Sequence, residues 1–141
     1  MVRIAIAQTD ADLLHCFLVM VELRPHVTRE QFVERIRRQQ QSGYQLAFLE
    51  ETGTVRCVAG YRFLENLAWG RFLCVDDLVT ADAARSQGWG RQLFDWLVDE
   101  ARRHGCDQLH LDSGVQRFAA HRFYLRKGMD LTCHHFALTW Q

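Results

Sequence analysis

Residues 85–91 read Arg-Ser-Gln-Gly-Trp-Gly-Arg and stand just before an amphipathic run that reads as a helix. Glycine is costly there, because it loses the most conformational freedom on folding. Gly88 and Gly90 would, however, leave the first backbone N–H groups of the helix uncovered. Those groups lie at the positive end of the helix dipole and can bind phosphate. Arg85 and Arg91 add charge-assisted donors. The stretch reads either as a pyrophosphate cradle or as a plain glycine-rich turn. It is not a P-loop, since no Gly-Lys-Ser/Thr follows, and not G-x-G-x-x-G, since the third glycine is missing. Asp76 and Asp77 interrupt the apolar run Phe-Leu-Cys-Val-Asp-Asp-Leu-Val-Thr at 72–80. Neighbouring strand residues face opposite ways, so one carboxylate is expected in a cavity and the other on the far face. Tyr124 sits among Phe118, Phe123 and Leu125, surroundings that by themselves describe a core tyrosine; His121 shares nearly the same helix face. No metal site is expected. His134 and His135 alternate along an expected strand, and His110 with Asp112 makes two ligands, too few for structural zinc. Cys74 has no paired histidine and reads as a structural thiol rather than a nucleophile.

The elements that must carry these groups follow from periodicity. Val2, Ile4 and Ile6 alternate as a strand; Leu13, Leu14, Phe17, Leu18 and Val21 have helical spacing behind Thr9 or Asp10 as N-cap, and Pro25 stops that helix. Thr28-Arg-Glu-Gln31 is a capping-box signature opening a second helix with Phe32, Val33 and Ile36. Residues 44–50 and 55–65 flank the turn Glu-Thr-Gly-Thr as a hairpin, and 70–80 form the next strand. Leu93, Leu97, Val98 and Ala101 make a long amphipathic helix, with Gly105 suited to its C-terminal cap. A short strand at 108–112, a helix at 116–127 and a last strand at 131–140 complete the order β-α-α-β-β-β-α-β-α-β. This is an α/β (α+β) layout, a mixed, mostly antiparallel sheet flanked by helices. The chain of 141 residues, 48% hydrophobic and 24% charged, suits one domain over residues 1–141. Its 17 basic and 17 acidic residues balance to zero, which speaks against a nucleic-acid surface. No apolar run approaches a membrane span. Five cysteines, an odd number with no C-x-x-C pair, together with an N-terminus unlike a signal peptide, point to the cytoplasm.

The strand–loop–Arg-x-x-Gly-x-Gly–helix unit, followed by a strand and the helix Ala-His-Arg-Phe-Tyr-Leu-Arg-Lys-Gly-Met at 120–129, resembles the GNAT family of N-acetyltransferases. The resemblance follows the element order of the whole chain and is specific over 74–128. It implies acetyl-CoA as cosubstrate, its pyrophosphate on Arg85, Gly88 and Gly90, with Ser86, Gln87, Trp89 and Arg91 adding contacts. It implies that the pantetheine arm pairs with the backbone of Leu78, Val79 and Thr80, as a peptide joins a strand edge. Tyr124 then becomes the general acid for the departing thiolate, and a carboxylate near this strand, Asp77 by preference over Asp76, becomes the base for the amine. Arg117 stands where the family often has asparagine, a departure that bears on the pantetheine contact. Residues 111–129 further resemble small-molecule members such as aminoalkylphosphonate N-acetyltransferases, so a small primary amine is the expected acceptor. Arg24, His26, Arg62 and Arg71 are candidates to meet an anionic group on it. Protein or peptide acetylation and a non-catalytic acyl-CoA sensor stay open, and so does oligomeric state, a homodimer included.

Overall fold

Thr9 and Thr28 each start a helix in the same way. Each hydroxyl accepts from the backbone N–H three residues on, while the side chain there, Asp12 or Gln31, accepts from the threonine N–H. These helices are α1 (Asp10–Leu23) and α2 (Arg29–Gln40) in a computed structural model that describes residues 1–140. The strands are β1 (Val2–Ile6), β2 (Gln45–Glu51), β3 (Thr54–Asn66), β4 (Gly70–Thr80) and β5 (Gln108–Leu111). A single 3-10 turn at Asp82–Ala84 leads to α3 (Trp89–Arg103), and α4 spans Phe118–Arg126. The sheet order is β1-β2-β3-β4-β5, with antiparallel pairing from β1 through β4.

The first compact unit is Met1–His110. One face of its sheet packs on α1 and α2 through Leu13, Cys16, Met20, Phe32, Ile36, Leu46, Phe48, Val58 and Val79. On the other face Tyr61 meets Trp96 of α3 edge-on at 6.1 Å and donates to the buried carboxylate of Glu100 at 3.1 Å. Arg103 completes Glu100 at 2.7 Å. Burial drives the Tyr61 hydroxyl far above its ordinary range, so it stays a donor.

The second unit begins at Leu111 and contains α4. Here one expectation is corrected. Residues 131–140 alternate as a strand should, yet they form no strand in the structure. Alternation only permits a strand; a ladder of backbone bonds to a neighbour makes one, and among the described residues none is formed there. His134 and His135 therefore have no strand faces to divide, and His135 Nδ1 lies 3.2 Å from Asp112. Among the described residues no helix is long and apolar enough to cross a membrane.

Candidate active site

Asp76 is the residue that breaks the pleat of β4. Gly60 of β3 faces Asp77 and Tyr61 faces Val75, so Asp76 has no opposite number: it is the extra residue of a β-bulge. The bulge corrects the expectation that the two carboxylates take opposite faces. Both line one cavity of about 290 Å³, on the sheet face that carries α1 and α2. The facing shift arises because alternation restarts after the extra residue.

Arg24, at the C-cap of α1, holds this bulge. Its Nε donates to Asp77 Oδ1 at 2.9 Å and its Nη2 to the Asp76 carbonyl at 3.1 Å. Tyr44, just before β2, donates its hydroxyl to the other Asp77 oxygen at 2.8 Å. Burial, reinforced by the Asp77 charge, drives the Tyr44 hydroxyl well above its ordinary range, so it remains a donor. Asp77 thus holds one donor on each oxygen and keeps a lone pair on each. Asp76 Oδ2 accepts from Arg62 Nε at 2.7 Å, and Arg62 Nη2 reaches Gln39 of α2 at 2.9 Å. The helix α2 presents Phe32, Arg35, Ile36 and Gln39, one continuous face, to the same cavity.

Tyr44 and Arg35 are cavity-wall residues that sequence reasoning missed, and only Tyr44 had a visible signal. Its signal lay elsewhere, in Gly60, a glycine inside a strand, which marks a close approach. A Cβ on Gly60 would collide with the Tyr44 hydroxyl and ring. Gly60→Ala is expected to cost about 1–3 kcal/mol through overpacking, read by urea unfolding; unchanged stability would show that Tyr44 moves aside freely.

Of the four candidate cations, Arg24 and His26 line the cavity, Arg62 reaches it through Asp76 and Gln39, and Arg71 bonds the His104 carbonyl instead. Cys74 is half-buried, its sulfur 3.9 Å from Asp76 Oδ1. Among the described residues, no three His, Cys, Asp or Glu side chains gather as a metal site.

The segment expected to meet the cofactor is built differently from the other helix starts. Gly88 is the N-cap of α3, in the left-handed region at φ +84°, and no side chain caps the helix. Ser86 is also left-handed, at φ +67°. The first N–H groups of α3 therefore have neither intrahelical nor side-chain partners. Arg85 Nη1 pairs with Asp82 at 3.1 Å. Trp89 turns inward: its indole is buried and its nitrogen has no hydrogen-bond partner among the described residues. A Cβ on Gly90 would come within 3.0 Å of Thr80 Oγ1, so this glycine also sets how closely α3 approaches β4. Asp107 N–H bonds the Arg71 carbonyl where β5 begins, and four residues of β5 end well short of Leu78, Val79 and Thr80. On its other side this part of β4 pairs with Cys57, Val58 and Ala59 of β3.

In the second unit Tyr124 lies on α4, half-buried, with its ring 5.6 Å from that of Phe123. Its carbonyl accepts from Lys127 and Met129, closing the helix end. His121 Nε2 donates to the Gly114 carbonyl at 2.7 Å and so ties α4 to the loop before it. His110 of the first unit stacks on Trp69 at 3.7 Å and bonds Gln108, and Asp112 of the second lies 3.2 Å from His135.

A sequence model of the acetyltransferase (GNAT) family matches residues 9–129. An uncharacterized N-acetyltransferase of Bacillus subtilis (strain 168), YhdJ, is 36% identical over 110 residues, 77% of this chain and 78% of that protein. An aminoalkylphosphonate N-acetyltransferase of Salmonella typhimurium is 38% identical over 65 residues, 46% of this chain and 41% of that protein. The fold is similar to that of AAC(6′)-Iy, solved in complex with the bisubstrate analog CoA-S-monomethyl-acetylneamine. The TM-score is 0.83 at 12% identity, covering 100% of this chain and 99% of that one.

Proposed function

The chain belongs to the acetyltransferase (GNAT) family and is an acyltransferase, and on that premise we propose that it moves the acetyl group of acetyl-CoA directly to the primary amine of a small molecule. The observation that carries the small-acceptor reading is the cavity at Asp76 and Asp77. Its volume, about 290 Å³, lies at the low end for ligand pockets, and its walls are closely spaced polar groups over Met20, Val27, Phe32 and Ile36. The aminoalkylphosphonate relative points the same way. We read residues 1–141 as one acetyltransferase domain, since the family match runs through both compact units. No cysteine is in a disulfide among the described residues, which supports a reducing, cytoplasmic setting.

In this reading the diphosphate of acetyl-CoA lies on the uncapped start of α3, against Arg85, Ser86, Gln87, Gly88, Gly90 and Arg91. Trp89 contributes its backbone N–H, because its side chain is buried. The pantetheine amides pair with Leu78, Val79 and Thr80, beyond the reach of β5. The acceptor amine loses a proton to Asp77, directly or through one water, and its nitrogen attacks the thioester carbonyl carbon. The N–C bond forms, the C–S bond breaks, and Tyr124 protonates the leaving sulfur; the nitrogen sheds its second proton, which restores the Tyr124 phenol through solvent, giving the acetylated amine and the thiol of coenzyme A.

Release of coenzyme A thiol, followed against a panel of aminophosphonates, amino acids, polyamines, aminoglycosides and peptides, tests the reaction. Acceptor-dependent release with small amines supports it, and release with peptides alone would overturn it. The cradle has its own test. Gly90→Ala is expected to weaken acetyl-CoA binding by roughly tenfold, in line with a lost charged hydrogen bond, as measured by calorimetry. Adding Thr80→Ala removes the oxygen that the new methyl would crowd. If binding returns in the double variant, Gly90 serves the α3–β4 contact alone.

A further inference from the structure

The charges of the cavity do not all cancel, and this inference rests on the acetyltransferase reading above. Both carboxylates are already matched: Asp77 pairs with Arg24 at 2.9 Å and Asp76 with Arg62 at 2.7 Å. Arg35 and His26 line the same cavity, and their side chains have no hydrogen bond or ion pair among the described residues. The uncompensated charge is therefore positive, although two aspartates are the most conspicuous groups in the wall. A polyamine would add positive charge to a cavity whose carboxylates are spoken for. An acceptor with one amine and one anion adds no net positive charge and gives Arg35 an anionic partner.

The two ends of such a molecule are distinguishable. Asp77 directly precedes Leu78, so the carboxylates mark the end beside the strand proposed to hold the acetyl donor. Arg35 stands on α2, one turn before Gln39, where the Asp76–Arg62–Gln39 chain of bonds meets that helix. Arg35 and Asp77 line the same cavity of about 290 Å³, a volume that suits a molecule whose amine and acid are only a few atoms apart. We propose that the acceptor is a short zwitterion, its ammonium entering at Asp77 and its carboxylate or phosphonate held by Arg35 with help from His26.

The experiment compares initial rates of acetyl transfer for β-alanine, 2-aminoethylphosphonate and the uncharged propylamine, with spermidine as the polycationic case. The wild-type protein is expected to favour the anion-bearing amines by roughly tenfold or more in kcat/KM, the scale of a hydrogen bond to a charged group. β-Alanine against 2-aminoethylphosphonate tells which anion fits. Arg35→Gln should raise KM for both zwitterions and narrow their advantage over propylamine, and Arg35→Lys should restore part of it. Equal rates for zwitterions and propylamine, preference for spermidine, or equal losses for all acceptors in Arg35→Gln would each overturn the proposal. Calorimetric binding of 2-aminoethylphosphonate alone separates the two readings. Binding that depends on Arg35, with no turnover of any amine, upholds the charge assignment and overturns acetyl transfer.

Discussion

Asp77→Asn is expected to lower kcat/KM by roughly 10²-fold near neutral pH, with the defect shrinking as the pH rises. The variant keeps the shape of the side chain and loses its ability to take a proton. An alkylamine has a pKa near that of lysine, about 10.4, so close to that pH the acceptor arrives as the free amine and needs no base. The substitution would also weaken the bonds from Arg24 and Tyr44, so unfolding must be measured beside the rates. Asp76→Asn is expected to act mainly through KM, because it frees Arg62 and adds a cation to the cavity wall. A pH-dependent defect confined to Asp76→Asn would move the base to the bulged residue. Equal, pH-independent losses in both variants would leave the amine without a protein base.

Tyr124→Phe is expected to lower kcat by roughly 10²-fold or more, the usual scale for a lost general acid, while acetyl-CoA affinity changes little. The phenol is suited to the role because its ordinary pKa, about 10, keeps it protonated at neutral pH. Only the hydroxyl is removed, so the ring's packing beside Phe123 on α4 is kept. Stopped-flow turnover with calorimetric binding checks the split. Full activity in this variant would return Tyr124 to a packing role.

The layers of the fold were legible because they rest on local patterns. The capping box at Thr28, the hairpin around Gly53 and the glycine after α3 each act within a few residues of chain. The glycine turn at 85–91 was legible for the same reason. The wall of the cavity was not. Arg24 meets Asp77 across 53 positions and Tyr44 meets it across 33, and no local pattern announces either pair. The bulge at Asp76 is hidden as well, since a bulge depends on the partner strand's register. The pair of aspartates inside an apolar strand was the visible trace of both. The last strand failed for the opposite reason: its alternation was clear, but alternation does not supply a neighbour.

The pairing of β3 with β4 has a consequence for chain length. Because Gly60 faces Asp77 and Tyr61 faces Val75, a chain lacking residue 76 closes up with every other pair in place. Val75 and Leu73 would still point toward Tyr61 and α3, and Val79 toward α1. Removing Asp77 gives the same chain, since both residues are aspartate, whereas removing a residue from 71–74 or 78–79 would throw one stretch of the strand out of phase with β3. Position 76 is thus a detachable tooth on an otherwise regular rack. It supplies the cavity with its second carboxylate, the anchor for Arg62 and the carbonyl for Arg24, and the sheet itself does not need it.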